Sequence, residues 1–148
     1  NGRIARSRSV ENVIEEVRWL VEDRGAHELR FGDELFTVDM ERSRELMQAL
    51  IESGLGEKIR WDCQTHVRFV DEDLLRLMKQ AGCHIVELGI ETGDEEKLKS
   101  LGKGTNLKMI LKAAEAARRA KMPFGTFFII GQPDETSESI RQIGRAHV

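Results

Sequence analysis

The chain has 148 residues, a third of them charged, two prolines and a formal net charge of −3. This composition is typical of one helix-rich globular domain and argues against a disordered chain. The basic residues are scattered, so there is no nucleic-acid signature, and no apolar run is long enough to form a membrane-spanning segment. Because no signal sequence opens the chain, we expect a cytoplasmic protein.

Five complete helices are predicted where apolar residues at three- and four-residue spacing follow a side chain that can cap a first turn. The predicted caps are Ser9, Asp39, Asp71, Asp94 and Thr105. A sixth, truncated helix is expected after Thr136. Glycines end most of these segments, and Pro123 ends the fifth.

Four strands are predicted between the helices, at His27–Phe31, Lys58–Gln64, His84–Gly93 and Phe124–Ile130. In the first three strands, apolar residues alternate with polar ones. The third strand is the clearest case. One face carries Val86, Leu88 and Ile90, and the other carries Glu87, Gly89 and Glu91. The polar face indicates either a ligand cavity or a half-exposed strand with solvated glutamates.

Strands that alternate with helices predict an α/β fold with a parallel sheet made of right-handed βαβ units. An open doubly wound sheet would favour apolar residues on both faces, whereas a barrel can enclose a polar centre. Four strands are too few to close a barrel. We therefore expect an arc of a TIM-like barrel, truncated at both ends.

Ligands of parallel α/β folds bind beyond the carboxyl ends of the strands, so the turns there are the candidate sites. They are Gly32–Glu34, Gln64–His66, Gly89–Gly93 and Gly131–Glu135. Their glycines and carboxylates suit an amino-acid or nucleoside-like ligand better than a phosphate. Asp33, Asp94 and Thr136 could instead be helix caps, His66 an exposed loop residue and Glu91 a carboxylate that closes a turn.

Neither a catalytic triad order nor a clustered metal-ligand set is present, so no metal site is predicted. Cys63 and Cys83 lack metal-ligand spacing and are interpreted as reduced, buried packing residues. Residues and spacing alone thus support a ligand-binding barrel fragment. An unrelated (β/α)-barrel enzyme and a non-catalytic binding module both remain open.

Six segments resemble, in order and spacing, the radical S-adenosylmethionine (SAM) superfamily, in particular the group whose members often carry an upstream cobalamin-binding domain. The segments are Phe31–Phe36, Trp61–Gln64, Met78–Cys83, Leu88–Gly93, Leu101–Gly104 and Phe128–Thr136. The resemblance implies a partial (β/α)6 barrel and an enzyme. Methyl transfer and ring formation are among the reactions that share this core.

The resemblance also implies the cofactors and a partner. A [4Fe-4S] cluster on a Cys-x3-Cys-x2-Cys loop reduces SAM to methionine and a 5′-deoxyadenosyl radical, which abstracts a substrate hydrogen. A flavodoxin or ferredoxin would supply the electron, and an upstream domain could bring cobalamin.

By position, the resemblance assigns SAM contacts to eight residues. They are Gly32, Asp33, Glu34, Gln64, Glu91, Ile130, Gly131 and Pro133. The first three would meet the methionyl amino group, Glu91 the ribose hydroxyls and the last three the adenine, while Gln64 is a weaker match.

The chain also departs from the family pattern. The cluster loop is absent, so residues 1–142 are interpreted as a partial core that lacks the first strand and is inactive by itself. His66 stands where relatives often have arginine, which leaves the expected positive charge unassigned, and Asp134 replaces a glycine. Residues 143–148 are predicted to be a non-native tail, because Gln142–Val148 matches the translation of a common sequencing adapter.

Overall fold

A computed structural model describes residues 7–102, 104–131, 135–137 and 140–141 of the chain. The helices are α1 (Val10–Glu22), α2 (Met40–Glu52), α3 (Glu72–Gln80), α4 (Glu95–Ser100) and α5 (Leu107–Ala120). The strands are β1 (Glu28–Phe31), β2 (Arg60–His66), β3 (Cys83–Glu91) and β4 (Phe124–Phe128). None of the described helices is long and apolar enough to cross a membrane.

The strands form one parallel sheet in the order β1-β2-β3-β4. Each strand pairs with the next one along the chain, and at least one helix lies in every connection. A doubly wound sheet would reverse its strand order, and this one does not. The architecture is therefore the predicted α/β arc of a parallel barrel.

The core lies between the sheet and the helices. Trp61 is fully buried at its centre, with its ring centroid 5.1 Å from that of Phe31 and 5.6 Å from that of Phe36. Its indole Nε1 donates a hydrogen bond to the carbonyl oxygen of Ala81 at 2.7 Å. Burying so large a side chain stabilises the fold strongly, and the hydrogen bond satisfies its one polar atom.

Four of the five predicted caps are confirmed, because each side chain accepts a hydrogen bond from a backbone N–H of the first helical turn. They are Ser9, Asp39, Asp71 and Asp94. The prediction for Thr105 is wrong. The side chain of Asn106 caps α5 by accepting from the Met109 N–H, and the buried Thr105 hydroxyl contacts His66 instead.

All four strands differ from the sequence prediction by one or two residues at one end or both, and the differences in β2 and β4 bear on the site. β2 begins and ends two residues later, so His66 belongs to the strand and not to the turn after it. β4 ends at Phe128, and Ile129 and Ile130 beyond it are 39% and 64% exposed. The apolar run that predicted a longer strand therefore continues past the end of the ladder.

Candidate functional site

The polar face of the sheet lies opposite the helices, as the alternation predicts. On β2 and β3 the helix-facing residues are buried, whereas Asp62, Gln64, Glu87 and Gly89 are half-buried on the other face. Gln64 lies beside Glu87 in the parallel register, and His66 beside Gly89. Polar side chains from two neighbouring strands thus form one surface.

A charge network crosses this face below the strand ends. The Arg30 guanidinium lies 2.9 Å from Oδ1 of Asp62 and donates a hydrogen bond to Glu87 Oε2. The Asp62 contact lacks hydrogen-bond alignment, so among the described residues this oxygen has no hydrogen-bond partner. The hydrogen bond to Glu87 and the charge of Asp62 raise the pKa of Arg30. Glu87 is therefore ion-paired, which argues against a strand with freely solvated glutamates.

A cavity of about 390 Å³ opens at the carboxyl ends of β1, β2 and β3. Its volume lies in the range of small-molecule sites. The lining residues are Glu34, Leu35, Gln64, Thr65, His66, Arg68, Phe69, Gly89 and Glu91. Three residues singled out in the sequence, Glu34, Gln64 and Glu91, are thus brought together.

Glu91 has a strained backbone at this cavity. Its φ is +72°, and the Thr92 N–H donates to the Ile90 carbonyl oxygen at 2.9 Å, which makes a tight three-residue turn. A Cβ atom on Gly89 would lie only 3.4 Å from Glu91 Oε1, so the bare glycine leaves room for the carboxylate to fold over it. A carboxylate on strained backbone at a cavity is a functional-site signal.

His66 is held in one tautomer by its neighbours. Its Nδ1 accepts from the Arg68 N–H at 3.1 Å, so Nε2 carries the proton and donates to Thr105 Oγ1 at 2.7 Å. The alternative that His66 is an exposed loop residue is wrong. The half-buried ring ties the end of β2 to the segment before α5.

Arg68 brings a positive charge to the same cavity, two residues after His66. Its Nη2 donates to the Gly104 carbonyl oxygen at 2.9 Å, and no carboxylate of the described residues lies within ion-pair distance of it. The cavity therefore combines one guanidinium with two carboxylates, an arrangement that suits a zwitterion bearing hydroxyl groups. Sequence reasoning missed Arg68 because only the folded turn after β2 aims it at the cavity.

The turn after β1 is fixed against the end of β2. The Phe36 N–H donates to the Gln64 carbonyl oxygen at 3.1 Å, and the buried Thr37 and Thr65 hydroxyls lie 2.6 Å apart. This brings Glu34 to the cavity. Gly32 and Asp33 do not line it; they border a larger hollow of about 660 Å³ beside α1, which Glu34 also borders.

Of the residues predicted after β4, Ile130 and Gly131 do not line the 390 Å³ cavity. Ile130 is exposed, and Gly131, at φ +92°, donates its N–H to Glu135 Oε2. The segment still lies close to Glu91, since the Ile129 N–H donates to the Glu91 carbonyl oxygen at 2.8 Å. Pro133 lies outside the described residues.

Cys63 and Cys83 are free and buried, which confirms their interpretation as packing residues. A hydrogen bond with Cys83 and burial raise the pKa of the Cys63 thiol well above its usual range. Two thiols on adjacent buried strands do not fit a [4Fe-4S] cluster, which needs three or more cysteine ligands. No three His, Cys, Asp or Glu side chains within the described ranges are arranged to hold a metal ion.

Comparison with protein families and curated proteins gives concordant matches. The model of the Radical SAM superfamily matches residues 1–146. The chain is 34% identical to an uncharacterized methyltransferase of Pyrococcus horikoshii over 94% of the chain and 30% of that protein. It is 36% identical to cytidylyl-2-hydroxyethylphosphonate methyltransferase of Streptomyces wedmorensis, over 96% and 27%. An anaerobic magnesium-protoporphyrin IX monomethyl ester cyclase of Cereibacter sphaeroides is 29% identical over 95% and 23%.

Solved structures share the fold. The radical SAM methyltransferase TsrM from Kitasatospora setae, solved with cobalamin and a [4Fe-4S] cluster, superposes with a TM-score of 0.82 at 18% identity, over 95% of this chain and 29% of that one. The cobalamin-dependent SAM radical enzyme OxsB, solved with aqua-cobalamin and SAM, gives 0.80 at 19%, over 95% and 22%. At such identities the likeness shows the fold alone.

The chain spans less than a third of the length of each of these relatives. The family match nevertheless covers nearly all of it, and the parallel sheet matches the partial barrel of the solved structures. The chain belongs to the radical SAM superfamily.

Proposed function

We propose that this chain is part of a radical SAM enzyme and that its 390 Å³ cavity holds the methionyl and ribose portions of SAM. The observation that carries the proposal is Glu91, a carboxylate on strained backbone that shares the cavity with the guanidinium of Arg68 and the carboxylate of Glu34. SAM carries an ammonium, a carboxylate and vicinal hydroxyls, so it needs both charge types in one site.

Each charged group has a separate proposed role. Glu34 accepts hydrogen bonds from the methionyl ammonium, Arg68 binds the methionyl carboxylate and Glu91 accepts from the ribose hydroxyls. Gln64, at the inner wall, donates or accepts through its amide. Arg68 would thereby supply the positive charge that relatives often place at the position of His66.

The remaining assignments rest on family position. Gly32 and Asp33, which border the neighbouring hollow and not this cavity, are proposed to lie near the methionyl group by family position alone. Ile130, Gly131 and Pro133 are likewise proposed along the adenine. The hydrogen bond from the Ile129 N–H to the Glu91 carbonyl oxygen supports the adenine assignment, because it holds the segment before Gly131 beside Glu91.

The iron-sulfur cluster is proposed to be held outside this sequence, on a Cys-x3-Cys-x2-Cys loop, since the two cysteines present are buried packing residues. When bound, the cluster supplies the electron that cleaves SAM, and a flavodoxin or ferredoxin would reduce it. This chain's own task is to orient the methionyl and ribose groups of SAM.

Methyl transfer is the reaction that we propose for the whole protein, with cobalamin bound by a further domain and the cytoplasm as the compartment. Two of the curated relatives and one of the solved structures are named as methyltransferases, and both solved relatives bind cobalamin. The cyclase makes ring formation the second candidate. Residues 1–142 would be the core portion, and residues 143–148 are proposed not to belong to it.

The test is SAM affinity, measured by calorimetry on the cluster-loaded protein produced from the intact gene. Glu91→Gln removes the acceptor charge and should weaken SAM binding at least about tenfold, since a lost hydrogen bond to a charged group costs about 1.5–3 kcal/mol. Glu95→Gln, an exposed residue on α4, is the matched control and should bind as the wild type does. Equal affinities for both variants would overturn the proposal.

The 148-residue chain alone tests the proposed location of the cluster. Anaerobic reconstitution with iron and sulfide should give neither [4Fe-4S] absorption nor 5′-deoxyadenosine, because two buried thiols cannot hold the cluster. Detection of both would contradict it.

A further inference from the structure

In a buried ion pair beside the cavity strands, the two facing atoms make no hydrogen bond with any described residue. Lys97 on α4 and Glu135 beyond β4 have side chains only 15% and 5% exposed, and Lys97 Nζ lies 3.7 Å from Glu135 Oε1. Both atoms are buried, and neither has a hydrogen-bond partner among the described residues. Taking two charges out of water has a desolvation penalty that the attraction between them does not offset without additional hydrogen bonds. The pair therefore calls for an explanation other than stability.

On the Lys97 side, a series of hydrogen bonds connects the pair to the turn at Glu91. Thr92 is fully buried, and its hydroxyl accepts from the Asp94 N–H at 3.2 Å. The Asp94 carboxylate caps α4 and accepts from the Lys97 N–H, also at 3.2 Å, while Leu98 anchors the helix in the core. The backbone of Lys97 is therefore joined to the strained turn at Glu91 through one short helical turn.

On the Glu135 side, the connection runs to Gly131. Glu135 Oε2 accepts a hydrogen bond from the Gly131 N–H, so one carboxylate contacts both Gly131 and Lys97. Gly131 has a φ of +92° and no side chain of its own to hold it, and the exposed Ile130 precedes it. Glu135 thus holds this segment through a side-chain hydrogen bond to the Gly131 N–H.

We infer that Lys97 and Glu135 are a positioning pair that sets the separation between the turn at Glu91 and the segment at Gly131. The inference rests on the proposed function, in which these two segments receive the ribose and the adenine of one nucleoside. The pair closes a ring with the hydrogen bond from the Ile129 N–H to the Glu91 carbonyl oxygen, so the two segments are tied at two points. One tie is backbone, and the other is the buried charge pair.

The test is the double variant Lys97→Met/Glu135→Gln in the cluster-loaded protein from the intact gene. It removes both charges, and the amide oxygen still accepts from the Gly131 N–H. Hydrophobic replacement of a buried ion pair is often neutral or stabilising, whereas the buried amide nitrogen of Glu135→Gln finds no charged neighbour, so the unfolding midpoint should fall only slightly. The Kd for 5′-methylthioadenosine should rise at least about fivefold, the lower end of typical coupling between sites, while the Kd for L-methionine stays unchanged.

The matched control is Lys99→Met/Glu96→Gln, which removes an exposed ion pair of 2.7 Å from the same helix. Both Kd values should stay at the wild-type level, since exposed pairs contribute little. Equal weakening of both ligands with a lower unfolding midpoint would reveal a merely structural role and overturn the inference. So would unchanged nucleoside binding by the Lys97/Glu135 variant.

The outcomes separate this inference from the proposed function. If the wild type binds 5′-methylthioadenosine and the double variant binds it equally well, the positioning role is wrong and the proposed SAM site stands. If the wild type binds neither 5′-methylthioadenosine nor SAM, the proposed function is wrong and the positioning role falls with it.

Discussion

The two faces of the sheet differ in burial and in charge. Toward the helices, β2 and β3 present Trp61, Cys63 and Val86, each at most 1% exposed and none charged. Toward the cavity, the same strands carry Asp62 and Glu87, which share Arg30 across three strands. Stability and ligand chemistry are thus assigned to alternate residues of the same strands, and substitutions should affect one largely without the other.

The largest expected effect is on the helix-facing side. Trp61→Ala should lower the free energy of unfolding by about 3–5 kcal/mol, because it leaves a cavity among packed aromatic rings and removes the donor to the Ala81 carbonyl. Urea denaturation measures it. Trp19→Ala is the control: this ring is 45% exposed, with the Arg24 guanidinium 4.7 Å from its centroid, so we expect a loss below about 1 kcal/mol. Similar losses for both tryptophans would break the contrast between core and surface.

A smaller effect is expected where the two faces meet. Thr65→Val should cost about 1–3 kcal/mol, because it leaves the buried Thr37 hydroxyl without its 2.6 Å partner. The double variant Thr37→Val/Thr65→Val should recover part of that loss, since no polar group is then left unpaired. A double-mutant cycle from urea unfolding gives the coupling, and strictly additive losses would contradict it.

Asp71, the N-cap of α3, should make the stability of the helix side depend on pH. Burial pushes the pKa of Asp71 up, but the Leu74 N–H and the Arg44 guanidinium, 2.6 Å away, outweigh it and hold the pKa below its usual value. A lowered folded pKa stabilises the fold above the unfolded pKa, and this stabilisation is lost as pH falls through the folded pKa. Asp71→Ala should therefore cost about 1 kcal/mol at pH 7 and less in acid.

Unfolding curves of the Asp71→Ala variant at several pH values test this expectation. Asp73→Ala, an exposed neighbour on the same helix, should change stability little at any pH. A loss for Asp71→Ala that stays constant down to pH 2 would mean that the carboxylate charge contributes nothing.

The smallest effect is expected from the buried thiols. Because the pKa of Cys63 is raised by its contact with Cys83 and by burial, we expect iodoacetamide to leave the folded chain unmodified at neutral pH. Both thiols should react in urea, and mass spectrometry counts the adducts. Rapid alkylation of the folded chain would show that solvent and reagent reach the helix-facing side of the sheet.

Local chemistry explains what the sequence could predict. The caps at Ser9, Asp39 and Asp71 depend on side chains that bond within their own turn, so spacing was sufficient. Thr105 failed because its hydroxyl bonds to His66, 39 residues earlier in the chain, and nothing local signals that choice. The alternation in β3 likewise assigned Val86 and Glu87 to opposite faces correctly.

The site was predictable only in part for the same reason. Glu34, Gln64 and Glu91 stood out because they lie at or just beyond the predicted strand ends, and they do share a cavity. The φ of +72° at Glu91 could not be foreseen, since a glutamate rarely adopts it unless tertiary contacts impose it. Arg68 is placed at the cavity by the turn after β2 and by its hydrogen bond to the Gly104 carbonyl oxygen, 36 residues later in the chain. No sequence pattern indicates that contact.

The contact between Arg68 and Gly104 makes the charge of the cavity depend on a residue that does not line it. A Cβ atom on Gly104 would lie 2.7 Å from Arg68 Nη2, too close for both to remain in place. Any side chain at position 104 would therefore shift the guanidinium relative to the carboxylates of Glu34 and Glu91. The shift would change how well the cavity binds the negative group of a zwitterionic ligand. Position 104 thus influences the charge of the cavity without lining it. It is a position to compare when related chains differ in what they bind.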